Sequence, residues 1–130
     1  MKISFIGLGV MGFPMAGHLI SKNSSLDIKV HNRSIEKSEK WVSKFNGFIC
    51  TTPADAAKDC DIVFMCVGND NDVDHIVRGE NGIMSSIPED SIIVDHTTAS
   101  AKIAKELYIY CKSSKNVSFI DAPVSGGQAG

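Results

Sequence analysis

Lys2-Ile3-Ser4-Phe5-Ile6-Gly7-Leu8-Gly9-Val10-Met11-Gly12 decides the fold of this chain. An apolar run of strand character leads into a G-x-G-x-x-G, and the residues that follow, about 11–22, read as a helix. In a strand–turn–helix context each glycine has its own job. Gly7 permits a tight turn, Gly9 lets the backbone approach a pyrophosphate, and Gly12 lets the helix pack close to the strand. A helix starting here aims its free N–H groups and the positive end of its dipole at phosphates. The expectation is a dinucleotide site. A tight turn in any α/β domain would carry the same glycines, and methyltransferases have similar first turns, so the triplet needs support from the rest of the chain.

Working outward, residues 27–32 read as a second strand and 35–45 as a helix that Ser34 is placed to cap. Trp41, Val42 and Phe45 are its core candidates, Gly47 ends it, and residues 48–50 form a short third strand. Thr52-Pro53 opens a brief helix through Lys58, with proline suited to the first turn. Residues 61–67 are a continuous apolar run with β-branched members, the pattern of a strand buried on both faces. The polar stretch 68–72 reads as a loop before a helix over 73–77; strands at 91–95 and 117–121 flank a helix at 101–113. Strands alternating with helical crossovers predict an α/β fold, a Rossmann-type doubly wound parallel sheet of six strands in the order 3-2-1-4-5-6. The ligand crevice then lies at the carboxyl ends where the order reverses.

A chain of 130 residues, 43% hydrophobic and 22% charged, fits one globular domain with a sizeable core. The formal net charge of −2 and the scattered Lys and Arg leave no basic footprint for nucleic acid or an anionic membrane. No apolar stretch is long enough for a bilayer, and a strand beginning at Lys2 leaves no room for a targeting peptide before it. Cys50, Cys60, Cys66 and Cys111 show no C-x-x-C and no Cys/His ligand spacing, so neither zinc nor a disulfide framework is expected. Cys66 reads as a small buried hydrophobe, and the expected compartment is the cytoplasm.

NAD-binding versions of this fold place an acidic residue about 20 positions past the glycines to hold the ribose 2′-hydroxyl. Here that distance lands on Asn32, in Val30-His31-Asn32-Arg33-Ser34. With no carboxylate in that segment to repel a 2′-phosphate, Arg33 offers a charge-assisted, bidentate partner and Ser34 a hydroxyl. The expected cofactor is NADP(H) in preference to NAD(H). The plainer alternative leaves Arg33 as a solvated loop residue and Asn32 as a turn former.

The segment Phe5-Ile6-Gly7-Leu8-Gly9-Val10-Met11-Gly12-Phe13-Pro14-Met15-Ala16 resembles the opening signature of the β-hydroxyacid dehydrogenases. That family includes 3-hydroxyisobutyrate dehydrogenase, tartronate semialdehyde reductase and glyoxylate/succinic semialdehyde reductases, with 6-phosphogluconate dehydrogenase more distant. Gly79-Glu80-Asn81-Gly82-Ile83, Asp95-His96-Thr97-Thr98 and Asp121-Ala122-Pro123-Val124-Ser125-Gly126-Gly127 resemble three further family signatures, in the same order. The resemblance spans essentially the whole chain. The Asn32-Arg33-Ser34 segment is similar to the NADP-preferring branch and departs from NAD-using 3-hydroxyisobutyrate enzymes, which tend to carry an aspartate there.

The resemblance implies cofactor contacts from Gly7, Leu8, Gly9, Val10, Met11 and Gly12, from Asn32, Arg33 and Ser34, from Cys66, Val67 and Gly68, and from Thr98. It implies a substrate-carboxylate site at Ser125, Gly126 and Gly127, where exposed N–H groups and a hydroxyl make a small anion nest. Thr97 and Thr98 have a second reading as caps for the helix near Ala101, and His96 reads as a strand-end packing residue. The implied activity is hydride transfer between nicotinamide and a small β-hydroxyacid or its semialdehyde, in a homodimer or homotetramer. Its proton-transfer lysine is expected on the helix after this domain, beyond Gly130, and the helical second domain is expected there too. By itself the 130-residue chain is expected to bind NADP(H) weakly and turn over little. The contrasting class is a non-catalytic dinucleotide-binding scaffold; a methyltransferase would leave Ser125-Gly126-Gly127 without a role.

Overall fold

The computed structural model describes residues 1–124. Six strands form one sheet: β1 (Lys2–Ile6), β2 (Asp27–His31), β3 (Phe48–Ile49), β4 (Ile62–Met65), β5 (Ile92–Asp95) and β6 (Ser118–Asp121). All pairings are parallel and the order is β3-β2-β1-β4-β5-β6, as the alternation of strands and helices predicts. The crossovers carry α1 (Gly12–Lys22), α2 (Ile35–Lys44), α3 (Pro53–Ala57), α4 (Asp70–Arg78) and α5 (Ala101–Lys115), with a short 3-10 turn at Ile83–Ser85 that periodicity alone does not announce.

The pleat of β1 explains the two cores. Ile3 and Phe5 point to one face and join Leu8, Ala16, Val30 and Trp41 under α1 and α2. Ile6 points the other way, toward Val63, Met65, Ile93 and the buried stripe of α5 formed by Ile103, Leu107 and Cys111. Trp41 is fully buried, whereas Val42 and Phe45 are only partly so. Phe45 lies against α1 because Gly17 has no side chain, and a Cβ there would strike its ring.

Two boundaries and one cap differ from the sequence expectation for local reasons. β4 stops at Met65, because the Val67 N–H leaves the ladder to donate to the Thr97 hydroxyl at 2.9 Å. The polar stretch expected to be a loop is instead the first turn of α4, where the Asn69 side chain accepts from the Asp72 N–H at 3.0 Å. Ser34 does sit at the N-cap of α2, but its side chain makes no capping bond. None of the described helices is long and apolar enough to cross a membrane.

Candidate functional site

The carboxyl ends of β2, β1, β4 and β5 form a row, and the predicted site residues that precede Ser125 lie along it. Ile6 at the end of β1 pairs with His31 of β2 and Met65 of β4. The turn from Gly7 to Gly12 therefore sits between the loops leaving β2 and β4. Gly7 has φ +97°, and a Cβ on it would collide with the Cys66 carbonyl; a Cβ on Gly12 would collide with the Gly7 carbonyl. Both glycines are required by the protein's own packing. Gly9 is different: a Cβ there would meet no heavy atom within 4 Å. Among the described residues nothing demands a glycine at that position, and the space in front of it is open.

The adjoining helix end is equally unusual. α1 follows Met11 at its N-cap, with no side-chain cap and no acid in its first turn. Each of the other helices has one or the other: Glu36 in the first turn of α2, Thr52 capping α3, Asn69 capping α4 and Ser100 capping α5. Among the described residues the N–H groups of Val10, Met11 and Gly12 have no acceptor. Free N–H groups at a positive helix end, beside a glycine with open space before it, fit a pyrophosphate. Val10 is 60% exposed at the lip of the same turn.

On the β2 side, the Asn32 side chain is committed to the protein. Its Oδ1 accepts from the Leu8 N–H at 2.8 Å and its Nδ2 donates to the Ser34 carbonyl at 3.1 Å. It ties the glycine turn to the end of β2, and so positions the turn. Arg33 is exposed, and the uncapped Ser34 hydroxyl leaves a donor beside it. The segment itself holds no carboxylate, but the fold supplies one: Asp72 of α4 lies 3.3 Å from the Arg33 guanidinium. That pairing spans 39 residues and no local pattern signals it.

On the β4–β5 side, Thr97 is the buried anchor. Its hydroxyl accepts from Val67 N–H, and its own N–H donates to the Asp95 carboxylate at 2.9 Å. Burial pushes the Asp95 carboxyl above its ordinary value, although the Thr97 hydrogen bonds oppose the rise. Thr98 is exposed and donates its hydroxyl to the Val124 carbonyl at 2.8 Å. Neither threonine caps α5. Ser100 does so, accepting from the Ile103 N–H at 3.2 Å, while the Asp70 carboxylate accepts from both the N–H and the hydroxyl of Ser100. His96 packs flat on Phe64 and places its Nδ1 2.8 Å from the Ala122 carbonyl.

The Cys66 thiol is pushed up by burial, with the Asp95 carboxylate adding to the rise. Burial likewise takes Cys111 to about 11, so the structure holds these thiols protonated rather than poised as nucleophiles.

A hollow of about 350 Å³ opens between the loops after β4 and β5, lined by Asn69, Asp70, Asn71, Thr98, Ala99 and Ser100. A larger hollow of about 530 Å³ lies elsewhere, among the C-terminal ends of α1 and α2 and the starts of β2 and β3. None of the predicted site residues lines it. The expected substrate residues Ser125, Gly126 and Gly127 lie outside the described residues.

Comparison with known proteins bears on the family and the fold. The chain is 53% identical over 129 residues to an uncharacterized oxidoreductase of Shewanella frigidimarina, covering 99% of this chain and 43% of that protein. It is 34% identical over 129 residues to a probable 3-hydroxyisobutyrate dehydrogenase-like protein, number 3, mitochondrial, of Arabidopsis thaliana, covering 99% of this chain and 39% of the relative. The chain thus spans about two fifths of the length of these relatives. Among solved structures, one described as Psf3 in complex with NADP+ and 2-OPP superimposes with a TM-score of 0.85 at 26% identity, covering 98% of this chain and 44% of that one. The model of a family described as the NAD binding domain of 6-phosphogluconate dehydrogenase matches residues 2–130, and the chain belongs to that family.

Proposed function

We propose that this chain is the cofactor-binding part of an NADP(H)-dependent oxidoreductase acting on a small β-hydroxyacid or its semialdehyde. The observation that carries the reading is the pairing of an unobstructed Gly9 with an uncapped, acid-free start of α1. In this reading the free N–H groups of Val10, Met11 and Gly12 hold the pyrophosphate, in a turn whose Gly7 and Leu8 N–H groups are held by His31 and Asn32. Arg33 and Ser34 receive the 2′-phosphate. The Cys66-Val67-Gly68 loop and the Thr98 hydroxyl border the nicotinamide ribose, held in register by Thr97. Ser125, Gly126 and Gly127 receive the substrate carboxylate. The bound nicotinamide supplies or accepts the hydride. The proton-transfer group is assigned to a lysine beyond Gly130, as is the helical second domain that builds a homodimer or homotetramer. A cytoplasmic setting belongs to the same proposal, supported by cysteines that are all free thiols.

Arg33→Asp tests the cofactor assignment. It should invert the NADP/NAD ratio of kcat/KM in the full chain, because it replaces a phosphate partner with a group that repels phosphate and accepts from a ribose hydroxyl. An unchanged ratio would remove the NADP assignment. A panel of semialdehydes reduced with NADPH tests the substrate class; failure of every member, with NADPH still bound, would favour a scaffold.

A further inference from the structure

Arg33 and Asp72 come from opposite walls of the crevice. Arg33 follows β2, Asp72 lies in the first turn of α4 beyond β4, and the end of β1 is flanked by both strands. Their side chains meet at 3.3 Å across the gap that contains the glycine turn. The placement of Asp72 is built into the backbone. Its N–H is held by the Asn69 side chain at 3.0 Å, and Gly68 leaves room for its carboxylate, which a Cβ at that position would strike. The Asp72 side chain is 28% exposed and that of Arg33 is 87% exposed, so the carboxylate is the fixed partner and the guanidinium the mobile one.

We propose that Asp72 is a specificity-determining residue for the cofactor. Its carboxylate occupies Arg33 in the ligand-free protein and sets how strongly the crevice prefers a 2′-phosphorylated adenosine over an unphosphorylated one. The inference rests on Arg33 being the 2′-phosphate partner. An ion pair this exposed is weak, so a phosphate displaces the carboxylate from the guanidinium. The exchange still has a cost, because Arg33 gives up its carboxylate partner. An unphosphorylated ribose leaves the pair closed and meets no such penalty. Asp72 therefore narrows the NADP-over-NAD preference that Arg33 creates, and the same crevice retains use of both cofactors.

The test compares adenosine 2′,5′-bisphosphate with adenosine 5′-monophosphate, which differ only in the 2′-phosphate. Dissociation constants are measured by calorimetry on the full chain, its Asp72→Asn, Asp72→Ser and Arg33→Ala variants, and the Arg33→Ala/Asp72→Asn double variant. Two replacements at Asp72 guard against one of them folding poorly. Removing the carboxylate should shift the affinity ratio toward the bisphosphate by about two- to fivefold, the range of an exposed ion-pair coupling. The shift should vanish in the Arg33→Ala background. If Arg33→Ala leaves the bisphosphate affinity unchanged, the reading of Arg33 falls and this inference with it. If Arg33→Ala weakens the bisphosphate but the Asp72 variants leave the ratio unmoved or lower it, the inference alone falls. A shift that persists without Arg33 overturns it as well.

Discussion

At the scale of single residues, three glycines that look alike in the sequence do different work. Gly7 and Gly12 are demanded by the protein's own backbone, Gly7 also by its φ of +97°. Gly7→Ala forces an L residue into the left-handed region and drives a methyl group into Cys66. It should lower unfolding free energy by at least about 2 kcal/mol in urea titrations. Gly9→Ala meets no atom of the described residues, so its stability should stay within about 0.5 kcal/mol of the parent. A large loss at Gly9 would mean that the position serves folding rather than a ligand. The motif assigns Gly7 to the turn and Gly12 to close packing, but it does not say what obstructs them, because the atoms against Gly7 belong to Cys66, far along the chain. Thr97 shows the same limit. Both threonines stood out in the sequence, yet only contact with Val67 distinguishes the buried one. Thr97→Val keeps the shape and strands the Val67 N–H, and should cost about 1–3 kcal/mol by the same titration.

At the scale of elements, the strands were legible and the helix starts less so. Continuous apolar runs mark buried strands wherever they occur, so β1, β4 and β5 stand out within a residue or two. The start of α4 did not, because Asn69, Asp70, Asn71 and Asp72 are polar enough to read as a loop. Polar residues are also what an N-cap and a helix first turn prefer, and Asn69 followed by Asp72 is that pattern.

The first turn of α4 is joined to α5 through Asp70, which accepts from the hydroxyl and N–H of Ser100. Those bonds, the hydroxyl first, hold the Asp70 carboxyl below its ordinary value. A carboxyl lowered in the folded state stabilises the fold fully above the ordinary carboxylate range. It loses that contribution as pH falls through the lowered value. Asp70→Asn should therefore reduce Tm at neutral pH, and the gap from the parent should close as acid is added. Scanning calorimetry across pH reads this directly; a gap that stays constant into acid would show that the charge of Asp70 is irrelevant to the tie.

At the scale of the whole molecule, the sheet order followed from alternation of strands and crossovers, and the order itself places the crevice. The contents of the crevice did not follow from local sequence. Arg33 was visible as a lone cation, while Asp72, which faces it, is brought there by a fold that sets β2 and β4 on either side of β1. The same arrangement leaves α1 as the described α-helix that starts with neither a side-chain cap nor an acid in its first turn.

The central claim is that this helix end and the open space at Gly9 hold a dinucleotide pyrophosphate. Calorimetric titration of the full chain and its Gly9→Val variant with NADPH and NADH tests it, with thermal unfolding recorded alongside. Saturable binding, tighter for NADPH, is expected, weakening at least about tenfold in Gly9→Val while Tm stays near the parent's. Undiminished NADPH binding by a folded Gly9→Val protein, or no saturable binding by the parent, would contradict it.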